Sequence, residues 1–261
     1  MRELAVPEGF RYTEPVAITK SGDIVVNAFD AQTRVRRAFI YSNSSVTALA
    51  GIQTLAHGVG PSGLIVGEWV TDGKTKTDAV YWNNSGPHSI GLCCGGILKA
   101  ANEAGDVIGD AYDVQGRYHA FVWNPSHGQR MVGPPEGYSS AVAINDAGHI
   151  LVQVGSEGYL DQAGSLQRLE LSSKLYNSVR AMNNCDVVAG GYGPDSDHER
   201  AFVWAATGGF HDLNSLIPSD SGWTLESATA INDRGEIVGR GDFHRAAQGH
   251  DDDRGFLLIP R

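Results

Sequence analysis

Short apolar runs, each ended by Asn, Asp or Gly, recur from one end of the chain to the other. The clearest is Ala143-Ile144-Asn145-Asp146-Ala147-Gly148-His149-Ile150, and it returns as Ala230-Ile231-Asn232-Asp233-Arg234-Gly235-Glu236-Ile237. Weaker copies begin at Ala17, Gly58, Ala100 and Ala181. In the copy at Ala181 the turn is expected to be one residue short, because no glycine follows Asn183-Asn184-Cys185-Asp186. An apolar run closed by Asn-Asp-x-Gly predicts a strand entering a hairpin turn, in which the Asn side chain bonds the backbone and glycine supplies the positive φ. A second strand follows, as in Glu236-Ile237-Val238-Gly239, and after a variable polar loop a third. The third strand reads His119-Ala120-Phe121-Val122-Trp123 and Arg200-Ala201-Phe202-Val203-Trp204, with further copies from Arg37, Asp78 and Arg254. A weaker fourth strand, such as Arg130-Met131-Val132-Gly133, closes the unit.

The copies begin near 17, 58, 100, 143, 181 and 230. A period of roughly 43 residues suits a four-stranded propeller blade. The expected fold is therefore all-β, one six-bladed β-propeller domain over residues 1–261. After the third strand of copy six no fourth follows, while Leu4 to Phe10 matches a fourth strand and its loop, as in Met131 to Tyr138. The N-terminal strand is thus expected to complete the last blade and close the ring, removing open sheet edges. An open solenoid of hairpins is the alternative.

The motif His119-Ala120-Phe121, followed by Val122-Trp123 and preceded in each unit by Ala-Ile-Asn-Asp-x-Gly or a variant of it, resembles the bacterial HAF repeat family. The resemblance covers essentially the whole chain and implies propeller architecture. It implies little about function, because propellers carry unrelated chemistries. Members of that family are often exported. Met1 to Pro7 lacks the apolar core of a secretion signal, so a cytoplasmic location is expected.

Composition narrows the partners. A net charge of −10 argues against nucleic acid and against an anionic membrane surface. No run approaches the roughly 18 apolar residues that a spanning helix needs. Three cysteines, two of them adjacent at 93 and 94, do not form a disulfide framework, and free thiols are expected. Nucleophile elbow, zinc-protease helix, phosphate loop and dinucleotide fingerprint are all absent, so no cofactor and no metal are expected. His250 and Asp251 to Asp253 could offer oxygen ligands to a cation, but a consecutive acidic run lacks the alternation of a calcium loop.

Positions that break the repeat are the candidates for function. The residue before the alanine of the turn phrase reads Val16, His57, Lys99, Val142, Arg180 and Thr229. On the second strand one position reads Asn27, Glu68, Asp110, Gln153, Gly190 and Arg240. Carboxylates beside His and Lys are the material of general acid–base chemistry, and equally of structural ion pairs. His57, Glu68 and Asp110 are the expected catalytic groups, exchanging protons. Asn27, Lys99, Gln153, Arg180 and Arg240 are expected to hold substrate at one end of a central channel, with Lys99 and the arginines receiving an anionic group. Trp69, Tyr112, Tyr192 and Trp223 are expected to wall that site, or else to pack between blades. Long loops at 214–226 and 242–253 are expected to form a lid or partner surface. The expected function is cofactor-free acid–base turnover of a small molecule, of lyase, cyclase or isomerase type. The alternatives are a module that binds a glycan or other small ligand without turnover, and a protein-interaction scaffold.

Overall fold

The computed structural model describes residues 4–260 apart from 31, 44, 52, 71–76, 173–174, 197 and 245–250. Its strands form antiparallel sheets in sequence order. Sheet one holds β1 (Tyr12–Ile18), β2 (Ile24–Phe29), β3 (Arg36–Ser42) and β4 (Ser45–Ala48). Sheet two holds β5 (Thr54–Val59), β6 (Ile65–Val70), β7 (Thr77–Asn83) and β8 (Gly86–Ser89). Sheet three holds β9 (Gly96–Ala101), β10 (Val107–Tyr112), β11 (Tyr118–Asn124) and β12 (Gly128–Met131). Sheet four holds β13 (Ser140–Ile144), β14 (His149–Val154), β15 (Glu157–Gln162) and β16 (Ser165–Arg168). Sheet five holds β17 (Tyr176–Met182), β18 (Val188–Gly193), β19 (Arg200–Ala205) and β20 (Gly209–Asp212). Sheet six has three strands among the described residues, β21 (Trp223–Ile231), β22 (Ile237–His244) and β23 (Asp251–Leu258). The chain divides into two compact units, 1–131 with sheets one to three and 132–261 with sheets four to six. Among the described residues no helix is long and apolar enough to cross a membrane.

The Ala-Phe dipeptide of the third strand explains how the sheets stack. Neighbouring strand residues face opposite sides. In the second unit Ala201 joins Leu225, Ala228 and Phe256 of sheet six, while Phe202 joins Leu151, Leu160 and Leu169 of sheet four. In the first unit Ala79 packs with Leu98 and Phe121 of sheet three. A small face thus meets the large face of the next sheet. Phe121 and Phe202 are fully buried, each stabilising the stack by about 1.5–3 kcal/mol. Gly109 lies opposite Phe121 in the ladder, and a Cβ there would stand 2.0 Å from the Ile97 carbonyl oxygen. Only glycine lets the first strand come so close.

The Asn-centred turns form as expected. Asn145 Oδ1 accepts from the backbone of Ala147 and His149, and Gly148 sits at φ +77°. The turn at Asn183 corrects the expected deletion. Asn183 N–H donates to Val187 and Asp186 N–H to Asn183, matching Asn145 to His149 and Gly148 to Asn145. Asp186, at φ +60°, replaces the glycine and no residue is missing. Its carboxylate repays the strained backbone by accepting from Asn145 at 2.7 Å and meeting His149 Nδ1 at 2.8 Å.

Both expected long loops are shorter. Asp212 caps a 3₁₀ turn at Leu213–Ser215, and the strand resumes at Trp223. Strands β22 and β23 extend into 242–253, leaving 245–250, with His250, outside the described residues.

No strand is assigned to 4–10. Leu4 and Phe10 pack on the Val26–Phe39–Tyr41 cluster of sheet one, and Tyr41 Oη donates to the Ala5 carbonyl. In sheet two, Leu49 packs beside Trp82, whose Nε1 donates to the Ala50 carbonyl. Leu4-Ala5 therefore occupies in sheet one the seat that Leu49-Ala50, directly after β4, takes in sheet two.

Candidate functional site

Every first strand carries a β-bulge at one repeat position. The ladder skips a residue between Pro15 and Ala17, Ala56 and Gly58, Leu98 and Ala100, Ala141 and Ala143, Val179 and Ala181, and Ala228 and Ala230. The skipped residues are Val16, His57, Lys99, Val142, Arg180 and Thr229. A bulge leaves one residue outside the ladder and re-aims its side chain. One of the two positions at which the copies differ in charge is therefore the one that the backbone frees from pairing.

In the first unit His57 Nε2 stands 3.7 Å from Glu68 Oε1, with the two side chains 31 % and 14 % exposed. Lys99 Nζ lies 2.5 Å from Asp110 Oδ2. The two pairs occupy neighbouring sheets: a Cβ on Gly58, next to His57, would meet the Lys99 carbonyl oxygen. Glu68 also lines a narrow cleft with Arg36, Gln53, Leu55 and Val70.

Two of the expected substrate ligands have a structural duty. The Asn27 amide donates to the Ala56 carbonyl and accepts from the Ala56 N–H, both at 2.9 Å. Gln153 Nε2 donates to Asn177 and Gly155, and its Oε1 accepts from Val179 N–H. Ala56 and Val179 directly precede the bulge residues His57 and Arg180. Each amide thus satisfies backbone groups on the free edge of the next sheet's first strand, beside its bulge.

In the second unit Arg180 Nη2 donates to Glu199 at 2.7 Å. Glu199 is 2 % exposed, and Arg180 Nη1 is buried without a hydrogen-bond partner. The second-strand position here is Gly191 rather than Gly190, because the preceding turn keeps its full length: Gly191 pairs with Ala201, as Asp110 pairs with Ala120. A Cβ on Gly191 would stand 2.4 Å from Arg180 and 2.6 Å from Glu199. The Gly-Gly doublet makes room for that pair. Arg240 Nε lies 3.7 Å from Glu226 Oε2. Glu226 is itself a second bulge residue, between Leu225 and Ser227. Burial and the neighbouring charge of Asp242 push its carboxyl above the ordinary range, against the pull of Arg240. Sequence reasoning missed Glu199 and Glu226. The glycine doublet and the long β21 were the available signals.

The four aromatic residues each pack locally. Trp69 lies against the core shared by sheets one and two. Tyr112 is partly exposed beside Cys93 and His119. Tyr192 stands edge-on to Phe210 at 4.9 Å, and burial raises its hydroxyl. Trp223 lies 5.2 Å from Phe243. Among the described residues no group of three His, Cys, Asp or Glu is placed to hold a metal ion.

No protein-family model matches the chain, and no curated protein matches it. Solved structures do. The β-propeller domain of the trilobed protease from Pyrococcus furiosus, described as having an open velcro topology, aligns with a TM-score of 0.67 over 97 % of this chain and 82 % of its own, at 11 % identity. An acylaminoacyl peptidase from Pyrococcus horikoshii aligns with a TM-score of 0.60 over 94 % of this chain and 44 % of its own, at 12 % identity. At such identities the likeness shows the fold alone: this chain has a β-propeller fold.

Proposed function

We propose that this propeller takes a small hydroxylated molecule at His57 and Glu68 and exchanges protons with it, as a cofactor-free acid–base enzyme of the elimination or isomerisation type. The observation that carries this is the 3.7 Å gap between the two side chains. It is longer than a direct hydrogen bond, so neither group spends its hydrogen-bonding capacity on the other and both can turn to one substrate hydroxyl. A bulge residue held opposite a carboxylate, each reaching solvent, is a pair that a substrate can reach. Lys99 is already neutralised by Asp110 at 2.5 Å, so the ligand is recognised by hydroxyl groups rather than by an anionic group. That same pair favours a second reading, binding without turnover at the same residues.

The resemblance to HAF repeats and the six sheets support a single six-bladed domain. Titration with D-xylose and D-glucose, followed through the His57 imidazole by NMR, tests the site. Saturable shifts that vanish in Glu68→Gln are expected. Shifts absent in the parent, or unchanged in Glu68→Gln, contradict the proposal.

A further inference from the structure

Cys93 and Cys94 lie on the connection into β9, outside the acid–base cluster. The two sulfurs stand 3.2 Å apart, and Cys93 is exposed. The chain holds them there through its glycines. Gly91 and Gly95 adopt φ of +72° and +88°. A Cβ on Gly95 would meet the Thr77 carbonyl oxygen at 2.6 Å, and one on Gly96 the Asp110 carbonyl oxygen at 2.5 Å. The Gly95 carbonyl accepts from Tyr112 N–H. The pair is therefore seated on two strands rather than carried on a free loop.

We propose that Cys93 and Cys94 form a preorganised two-thiol site for trivalent arsenicals of the type R–As=O. Consecutive Cα atoms lie about 3.8 Å apart across a trans peptide, whereas ordinary disulfides need about 4.4 Å or more. A direct S–S bond is thus disfavoured. A pyramidal atom bonded to both sulfurs at about 2.3 Å, the length of a metal–thiolate bond, holds them about 3.3 Å apart, which matches the resting separation. The condensation balances without an oxidant. Two S–H groups meet R–As=O, two As–S bonds form, and both thiol protons leave with the oxygen as one water. Cys93 also lines a cavity of about 240 Å³ with Leu92, Tyr112, His119 and Met131. An apolar cavity of about 150 Å³ holds a benzene ring, so R can be aromatic.

Phenylarsine oxide is the probe. Intact-mass analysis of the folded chain is expected to show one adduct and the loss of two titratable thiols. Excess 2-mercaptoethanol should leave it in place and 2,3-dimercaptopropanol should remove it. Cys93→Ser and Cys94→Ser should each abolish it, while Cys185→Ser keeps it. Preorganisation should make the folded chain bind about tenfold or more tightly than the free hexapeptide of residues 91–96. An adduct that persists in either single variant, one that a monothiol removes, or equal affinity for the peptide overturns the proposal.

Discussion

At the scale of single residues, each bulge side chain has a chemistry set by what faces it. His57 and Lys99 meet carboxylates on their own second strands, whereas Arg180, opposite Gly191, draws in the buried Glu199. The identity of these bulge residues was legible from the repeat, because they depart from it. Their partners were only half legible. Glu68 and Asp110 follow from register, but Glu199 lies just before a third strand, where the copies do not align. Glu226 is the residue whose ionisation works against the fold. Its carboxyl is raised above the ordinary 4.5 by burial and by Asp242. Protonation is favoured in the folded chain, so ionised Glu226 weakens the fold above its raised pKa. The penalty disappears as pH falls below the ordinary value. Glu226→Gln is therefore expected to melt higher than the parent at pH 7 and to lose that advantage by about pH 4. A variant that melts lower at pH 7 would show that the contact with Arg240 dominates.

At the scale of the element, the first strands of sheets two and five are sheet edges and take a partner from the sheet before them. Asn27 and Gln153 supply it to Ala56 and Val179. Polarity at that second-strand position was visible in the sequence and suggested ligand binding. The duty it performs is to satisfy free-edge backbone groups in a different repeat, which no single copy reveals. Asn27→Ala should leave one backbone donor and one acceptor buried without partners, at about 2–4 kcal/mol, measured by urea unfolding. A cost below about 0.5 kcal/mol would mean that water replaces the amide. The turn at Asn183 shows the limit of reading by motif: Asp186 in place of glycine looked like a deletion, and that miscount moved the register from Gly191 to Gly190.

At the scale of the whole molecule, the period, the strand order and the Ala-Phe stacking were all written in the chain, because each repeat must bury the same two faces against its neighbours. The ends were harder to read. Leu4 fills the place that Leu49 fills one sheet later, and Tyr41 repeats the bond of Trp82. Deleting Met1 to Pro7 is expected to cost about 3–5 kcal/mol through the lost Leu4 packing and the unpaired Tyr41 hydroxyl. A truncated chain that melts within a few degrees of the parent would show that the segment is dispensable.

The function rests on whether the bulge charges of sheets two and three serve a ligand or the fold. The unfolding free energy of Glu68→Gln separates the two most directly. A pair kept open for substrate predicts a change of no more than about 1–2 kcal/mol, the range for partly exposed sites. A cost of about 3–5 kcal/mol, as when one partner of a buried ion pair is removed, would make His57–Glu68 a structural contact and contradict the proposed site.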